Sequence, residues 1–139
     1  MNIFLVIAGI LSAFAALLHV GCIYFGAPWY RFFGAGEQMA TLAEQGSMQP
    51  ALITSGIVVV LSIWAVYAFS AAGLILRLPL VRTALVLITL VYLARGVGGL
   101  FLISSPMGRT PEFWVWSSAI CLLFGLVHLV GLKQQWVNL

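Results

Sequence analysis

A single arginine inside a long apolar run is the residue of this chain best suited to chemistry. Residues 84–103 contain one charged side chain, Arg95. A guanidinium within a membrane is costly unless it faces protein, water or a ligand, so such a residue often marks a functional site. On a helix, Tyr92 would lie one turn from Arg95, while Gly98 and Gly99 would leave room for a neighbouring helix. The pattern predicts a buried site for an anion or a carbonyl group.

A structural role for Arg95 explains the same pattern. The guanidinium would then bond to backbone carbonyls or to Glu37 or Glu112 and hold the helices together. If it pairs with an acid, removing either partner leaves an uncompensated buried charge, so both substitutions should damage the protein. The sequence leaves the binding role and the structural role open.

The companions of Arg95 are predicted from depth in the membrane. At 1.5 Å of rise per helical residue, His19 lies about 9 Å and Arg95 about 13 Å from the outer ends of their apolar runs. We therefore expect His19 and Tyr92 to be hydrogen-bonding companions of Arg95. Glu37 could reach this layer from a loop and serve as a gate or counter-ion. The predicted ligand-binding residues are Arg95, His19, Tyr92 and Glu37.

The histidines and cysteines suggest cofactor sites as alternatives. Two histidines of a helix bundle can ligate one haem iron, but His128 lies about 22 Å deep, which disfavours an iron shared with His19. Haem bound through His19 or His128 alone stays open. His19 and Cys22 are one turn apart and could form a metal site with Cys121. Ordinary packing of histidine and cysteine explains the same positions.

The elements that must position these residues are membrane-spanning helices. The chain is 63% hydrophobic and 6% charged, whereas soluble domains carry roughly 25% charged residues. Four apolar runs are each long enough to cross a hydrocarbon layer of about 30 Å. We predict an all-α integral membrane protein, a single domain built as a compact bundle of four transmembrane helices. The predicted spans are residues 3–25, 51–74, 83–104 and 113–132.

The segment between the first two spans has a different composition. Gly26 and Pro28 are typical of a helix end, and the aromatic residues 29–33 are typical of a membrane interface. Residues 34–46 contain Glu37 and Glu44. They predict a short amphipathic segment on the membrane surface, or a loop that folds back over the bundle.

The orientation is predicted from the basic residues outside the spans. Arg77, Arg82 and Lys133 fall on the side of the two termini, and Arg31 and Arg109 on the other side. Basic residues are enriched in cytoplasmic segments. The count favours an orientation with both termini in the cytoplasm, and we expect the membrane to be a bacterial inner membrane.

The sequence contains no motif for hydrolysis, nucleotide binding or thiol redox chemistry: P-loop, GxSxG, HExxH and CxxC are all missing. In size and number of spans the chain is similar to small multidrug-resistance exporters, but its first span lacks the glutamate of that family. We predict a protein, more plausibly without enzymatic activity, that binds or transports an amphipathic or anionic small molecule. The alternatives are an accessory subunit or assembly factor, and a redox protein carrying haem or quinone.

The predicted partners follow from the same composition. Apolar spans require a lipid bilayer, and small-residue faces suggest a homodimer or a larger membrane complex. The basic residues are scattered singly rather than clustered on one face, which argues against nucleic acid.

Overall fold

The computed structural model describes residues 1–33, 36–104 and 111–139, and these ranges contain helices and no strand. Four of the helices are long and apolar enough to cross a membrane. The predicted all-α fold class with four membrane helices is thereby confirmed. The helices are α1 (Ile3–Phe25), α2 (Ala27–Phe32), α3 (Glu37–Glu44), α4 (Gln49–Ala72), α5 (Val81–Phe101) and α6 (Pro111–Gln135), followed by a 3-10 turn (Trp136–Asn138).

The helix ends follow local sequence signals. The Asn2 side chain caps α1 by accepting a hydrogen bond from the Leu5 N–H at 3.0 Å. Gly26, at φ 75°, ends α1 in a conformation that favours glycine. Pro50 lies in the first turn of α4, where its missing N–H costs nothing. The last span extends beyond the predicted boundary, because α6 continues to Gln135.

The four long helices form a bundle in the order α1, α4, α5, α6. The most extensive packing joins α1 to α4 and α5 to α6, and the α1–α6 and α4–α5 contacts connect these two pairs. One end of the bundle, called the Arg82 end, contains the starts of α1 and α5 and the ends of α4 and α6. There the Asn2 N–H bonds to the Ala72 carbonyl at 2.9 Å, and the Asn2 amide bonds to Gln134 at 3.0 Å. The opposite end is called the Trp114 end.

Glycines allow the two extensive helix pairs to approach closely. A Cβ on Gly9 of α1 would lie 2.5 Å from the Phe69 ring of α4. Between α5 and α6, a Cβ on Gly96 would lie 2.6 Å from Leu122. Close backbone approach through small residues is the usual mode of helix association in membranes, where packing replaces the hydrophobic effect as the driving force.

The outside of the bundle is apolar along its length. Phe14, Leu17, Val59, Leu90 and Leu123 are examples of large side chains that are exposed on the four long helices. A soluble monomer rarely exposes a continuous apolar surface of this extent. Lipid satisfies such a surface, so the chain is an integral membrane protein.

The short helices α2 and α3 cover the Trp114 end of the α1–α4 pair. The Tyr30 hydroxyl of α2 lies 3.1 Å from the Thr54 hydroxyl of α4. Ala40, on the inner side of α3, is fully buried. The outer face of this cover carries the ion pairs of Arg31 with Glu37 and Glu44. Hydrogen bonds from Arg31 hold the pKa of the exposed Glu37 carboxyl below its usual range, and the two carboxylates raise the pKa of Arg31.

Candidate functional site: a groove beside Arg95

Arg95 links α5 to α6 near the Trp114 end of the bundle. Its Nη2 donates a hydrogen bond to the Ser117 hydroxyl at 3.1 Å. Its guanidinium carbon lies 5.0 Å from the centroid of the Trp114 ring, within range of a cation–π interaction. Both partners belong to the first two turns of α6. The guanidinium is thus held in place by neutral groups of one neighbouring helix.

Gly99 provides the space in which the guanidinium lies. A Cβ at Gly99 would come within 2.6 Å of Arg95 Nη1 and would also clash with the Ser118 hydroxyl. Arg95 Nη1 and the Ser118 hydroxyl oxygen are buried and make no hydrogen bond within the described part of the chain. The missing side chain of Gly99 therefore determines how closely Arg95 can approach α6.

No carboxylate neutralises Arg95 within the described ranges, where all three acids of the chain fall. Glu37, the predicted counter-ion, pairs instead with Arg31 at 2.8 Å. Glu112 lies in the first turn of α6 and forms no ion pair with Arg95. The structure therefore leaves the positive charge of Arg95 without a carboxylate partner in these ranges.

Arg95 also lines an apolar groove between α4 and α5, called the α4–α5 groove. Its volume is about 560 Å³, which falls within the usual range of ligand pockets, about 300–1,000 Å³. A Cβ at Gly56 would meet no atom within 4 Å, so this part of the groove is open. The lining residues are Ile53, Gly56, Ile57, Val60, Leu61 and Trp64 of α4, Val91, Tyr92 and Arg95 of α5, and Cys121 of α6.

Tyr92 separates this groove from the interior of the bundle. Its ring contacts Trp64 and Phe124 edge-on, with centroids 5.0 and 5.4 Å away. Its hydroxyl lies 2.8 Å from the buried hydroxyl of Ser12 on α1. Tyr92 is therefore adjacent to Arg95 on the groove wall, as the sequence suggested, but its hydroxyl bonds to α1.

The two histidines occupy different environments. His128 is fully buried, lies 5.1 Å from Tyr92 between ring centroids, and donates from Nδ1 to the Phe124 carbonyl at 2.7 Å. Its Nε2 has no hydrogen-bond partner in the described ranges. His19 donates from Nδ1 to the Ala15 carbonyl of its own helix at 2.7 Å, and no hydrogen bond joins it to Arg95. The predicted roles of His19 and of haem stay predictions.

The two cysteines are apart in the fold. Cys22 packs beneath the α2–α3 cover, whereas Cys121 lines the α4–α5 groove. Across residues 1–33, 36–104 and 111–139, no three His, Cys, Asp or Glu side chains form a group that could hold a metal ion.

The sequence alone does not indicate three residues that contact Arg95 or Tyr92, namely Trp114 and Ser117 beside Arg95 and Ser12 beside Tyr92. Finding these contacts requires the register of α5 against α6 and of α1 against α5, for which a single sequence gives no signal.

Fold and site together define the class of protein: a four-helix integral membrane bundle with an apolar groove and one arginine in the groove wall. No protein-family model, curated protein or solved structure matches the chain.

Proposed function

We propose that this protein binds amphipathic small molecules with an anionic head group in the α4–α5 groove and carries them within or across the membrane. The supporting observation is the position of Arg95, a cation without a carboxylate partner in the described ranges, in the wall of an apolar groove. A guanidinium binds a carboxylate or phosphate through two parallel hydrogen bonds, which are stronger than those between neutral groups.

The shape of the groove favours an elongated apolar body. The lining residues of α4 run from Ile53 to Trp64, which corresponds to about 16 Å at 1.5 Å per residue. The surface of the groove is almost wholly apolar, the Tyr92 hydroxyl bonds to Ser12 of α1, and Arg95 is the one charged residue among the described residues of the lining. A ligand with a chain against α4 and a head group near Arg95 would match both the apolar wall and the charge.

The contacts of Arg95 also support a second candidate function, that of an accessory subunit or assembly factor. The Ser117 hydrogen bond and the Trp114 ring join α5 to α6, as expected for an arginine that maintains the bundle. In that case the lipid-facing helices would bind partner helices of a larger complex.

The proposed location is a bacterial inner membrane, with both termini in the cytoplasm. Arg77, Arg82 and Lys133 at the Arg82 end support this orientation, since basic residues favour the cytoplasmic side. Assembly as a homodimer, or within a larger complex, belongs to the same proposal, because four short spans offer little interior space.

The experiment is a scintillation proximity assay of radiolabelled dodecanoate binding to the detergent-solubilised protein. Arg95→Gln should weaken binding at least about tenfold, because a hydrogen bond to a charged group contributes about 1.5–3 kcal/mol. Arg95→Lys should give an intermediate affinity, since lysine keeps the charge but lacks the planar fork. Unlabelled dodecanol, which has the same chain without the charge, should compete poorly.

A pair of glycine substitutions tests the groove without removing Arg95. Neither Gly56 nor Gly98 has an atom within 4 Å of its Cβ position, so both accept a larger side chain. Gly56 lines the groove and Gly98 does not. Gly56→Leu should abolish dodecanoate binding and Gly98→Leu should preserve it. Equal dodecanoate binding by the two folded glycine variants would argue against the groove as the binding site. If wild type binds no dodecanoate and Arg95→Gln unfolds, the accessory-subunit function is favoured.

A further inference from the structure

A second basic region lies at the Arg82 end of the bundle, remote from the α4–α5 groove. Residues 77–83, together with Leu139, surround an open cavity of about 650 Å³. Arg77 and Arg82 both belong to its lining. Lys133, in the last turn of α6, adds a third cation at the same end.

The two arginines of this cavity are held by the C-terminal segment. Arg77 donates from Nη2 to a main-chain oxygen of Leu139, the last residue of the sequence. Arg82 donates from Nη2 to the carbonyl of Trp136 at 3.0 Å, and its guanidinium carbon lies 4.4 Å from the centroid of the Trp136 ring. The partners of Arg82, a peptide carbonyl and an indole ring, are neutral. They position the Arg82 guanidinium and leave its charge for a ligand, and both arginines keep N–H donors beyond these contacts.

The loop that carries Arg77 is fixed to the end of α4. The Ser70 hydroxyl donates to the Leu76 carbonyl and accepts from the Leu78 N–H, both at 2.9 Å. The Tyr67 hydroxyl donates to the Pro79 carbonyl at 3.1 Å. The cavity is therefore bounded by an ordered loop, which reduces the entropy lost when a ligand binds.

The acids of the chain are all at the opposite end. Glu37 and Glu44 pair with Arg31 on the α2–α3 cover, and Glu112 lies in the first turn of α6. Among the described side chains, the Arg82 end consequently carries three basic ones and no acidic one. This asymmetry selects a ligand with net negative charge.

Exposed apolar side chains place the cavity at the lipid interface. Leu76 is 83% and Leu80 is 77% exposed on the loop, and Val137 is 90% exposed on the C-terminal turn. Trp136 is of the type that lies at the level of lipid head groups. An occupant of the cavity would therefore have its charge near Arg77 and Arg82 and its apolar part beside these side chains.

We propose that Arg77 and Arg82 form a binding site for the phosphodiester head group of an anionic phospholipid. A net negative lipid is favoured over a zwitterionic one, because the ammonium group of the latter would lie near the guanidinium groups of Arg77 and Arg82. This site is independent of the α4–α5 groove and does not require the function proposed for Arg95. Basic residues next to a membrane typically strengthen attraction to anionic lipid.

The test is a native mass spectrometry titration of the full chain, released from mild detergent, with dioleoylphosphatidylglycerol or dioleoylphosphatidylcholine. We expect wild type to bind the anionic lipid about tenfold more tightly. Arg77→Gln combined with Arg82→Gln should reduce this preference to less than about twofold. The matched double Lys variant should keep most of it, because the charges remain.

One control variant and three contrary outcomes decide the proposal. Arg31→Gln, which removes one cation at the Trp114 end, should keep the lipid preference. Equal affinity of wild type for the two lipids, or an undiminished preference in the folded double Gln variant, would overturn the proposal. Displacement of phosphatidylglycerol by millimolar inorganic phosphate would also overturn it, since the site would then recognise free phosphate.

Discussion

Adding one methyl group at Gly99 should destabilise the bundle, whereas the same change at Gly98 should not. A Cβ at Gly99 would lie 2.6 Å from Arg95 Nη1 and would also clash with the Ser118 hydroxyl, so α5 and α6 must separate or the guanidinium must move. Overpacking of this kind costs about 1–3 kcal/mol. At Gly98 the new methyl group meets no atom within 4 Å, and the higher helix propensity of alanine contributes up to about 1 kcal/mol of stability.

The assay is equilibrium unfolding in mixed micelles with increasing sodium dodecyl sulfate, followed by far-ultraviolet circular dichroism. Gly99→Ala should lower the free energy of unfolding relative to wild type by about 1–3 kcal/mol, with Gly98→Ala equal to wild type or slightly more stable. The two substituted positions are neighbours on α5, and each substitution adds one methyl group to the wild-type protein. Equal stabilities would refute the close packing of α5 on α6 beside Arg95.

The remaining predictions concern the interior of the bundle and its cover. Tyr92→Phe should lower the free energy of unfolding by about 0.6–1.7 kcal/mol, the range for hydrogen bonds between membrane helices. Adding Ser12→Ala to this variant should lower it little further, because both hydroxyls belong to one hydrogen bond. Full additivity of the two substitutions in a double-mutant cycle would contradict that bond. Arg31 lowers the pKa of Glu37 in the folded protein. The contribution of this ion pair to stability is therefore fully present above the ordinary carboxyl pKa of about 4.3, and it is lost as the pH falls through the lowered pKa of Glu37. Amide exchange in α3, corrected for intrinsic rates, should therefore rise in acid, with a weaker pH dependence in Glu37→Gln; an identical pH profile in that variant would exclude the pair as the cause.

The helices could be predicted from the sequence because their signals are local. Apolar runs of membrane-spanning length, ended by Gly26 and started by Pro50 or Pro111, place the four spans near their observed positions. The amphipathic segment predicted at residues 34–46 contains α3, whereas the aromatic residues 29–33, interpreted only as typical of an interface, belong largely to a further helix, α2. The additional helix α2 has only six residues and is held by packing and by the Tyr30–Thr54 contact, which periodicity does not reveal.

The site could be predicted only in part, because its contacts depend on how the helices face one another. Arg95 and Tyr92 were found from their shared helix face, and both line the groove. Depth alone placed His19 near Arg95, but depth carries no information on which face a side chain occupies. Glu37 was considered as a counter-ion, and its nearer cation, Arg31, is six residues away in sequence.

The most direct test of the central claim is native mass spectrometry of the protein purified in mild detergent, comparing wild type with Arg95→Ala and Gly98→Ala. The proposed function predicts a co-purified amphipathic anion on wild type and Gly98→Ala that is missing from folded Arg95→Ala. The account is contradicted if wild type carries no such molecule, or if the folded Arg95→Ala variant retains it to the same extent.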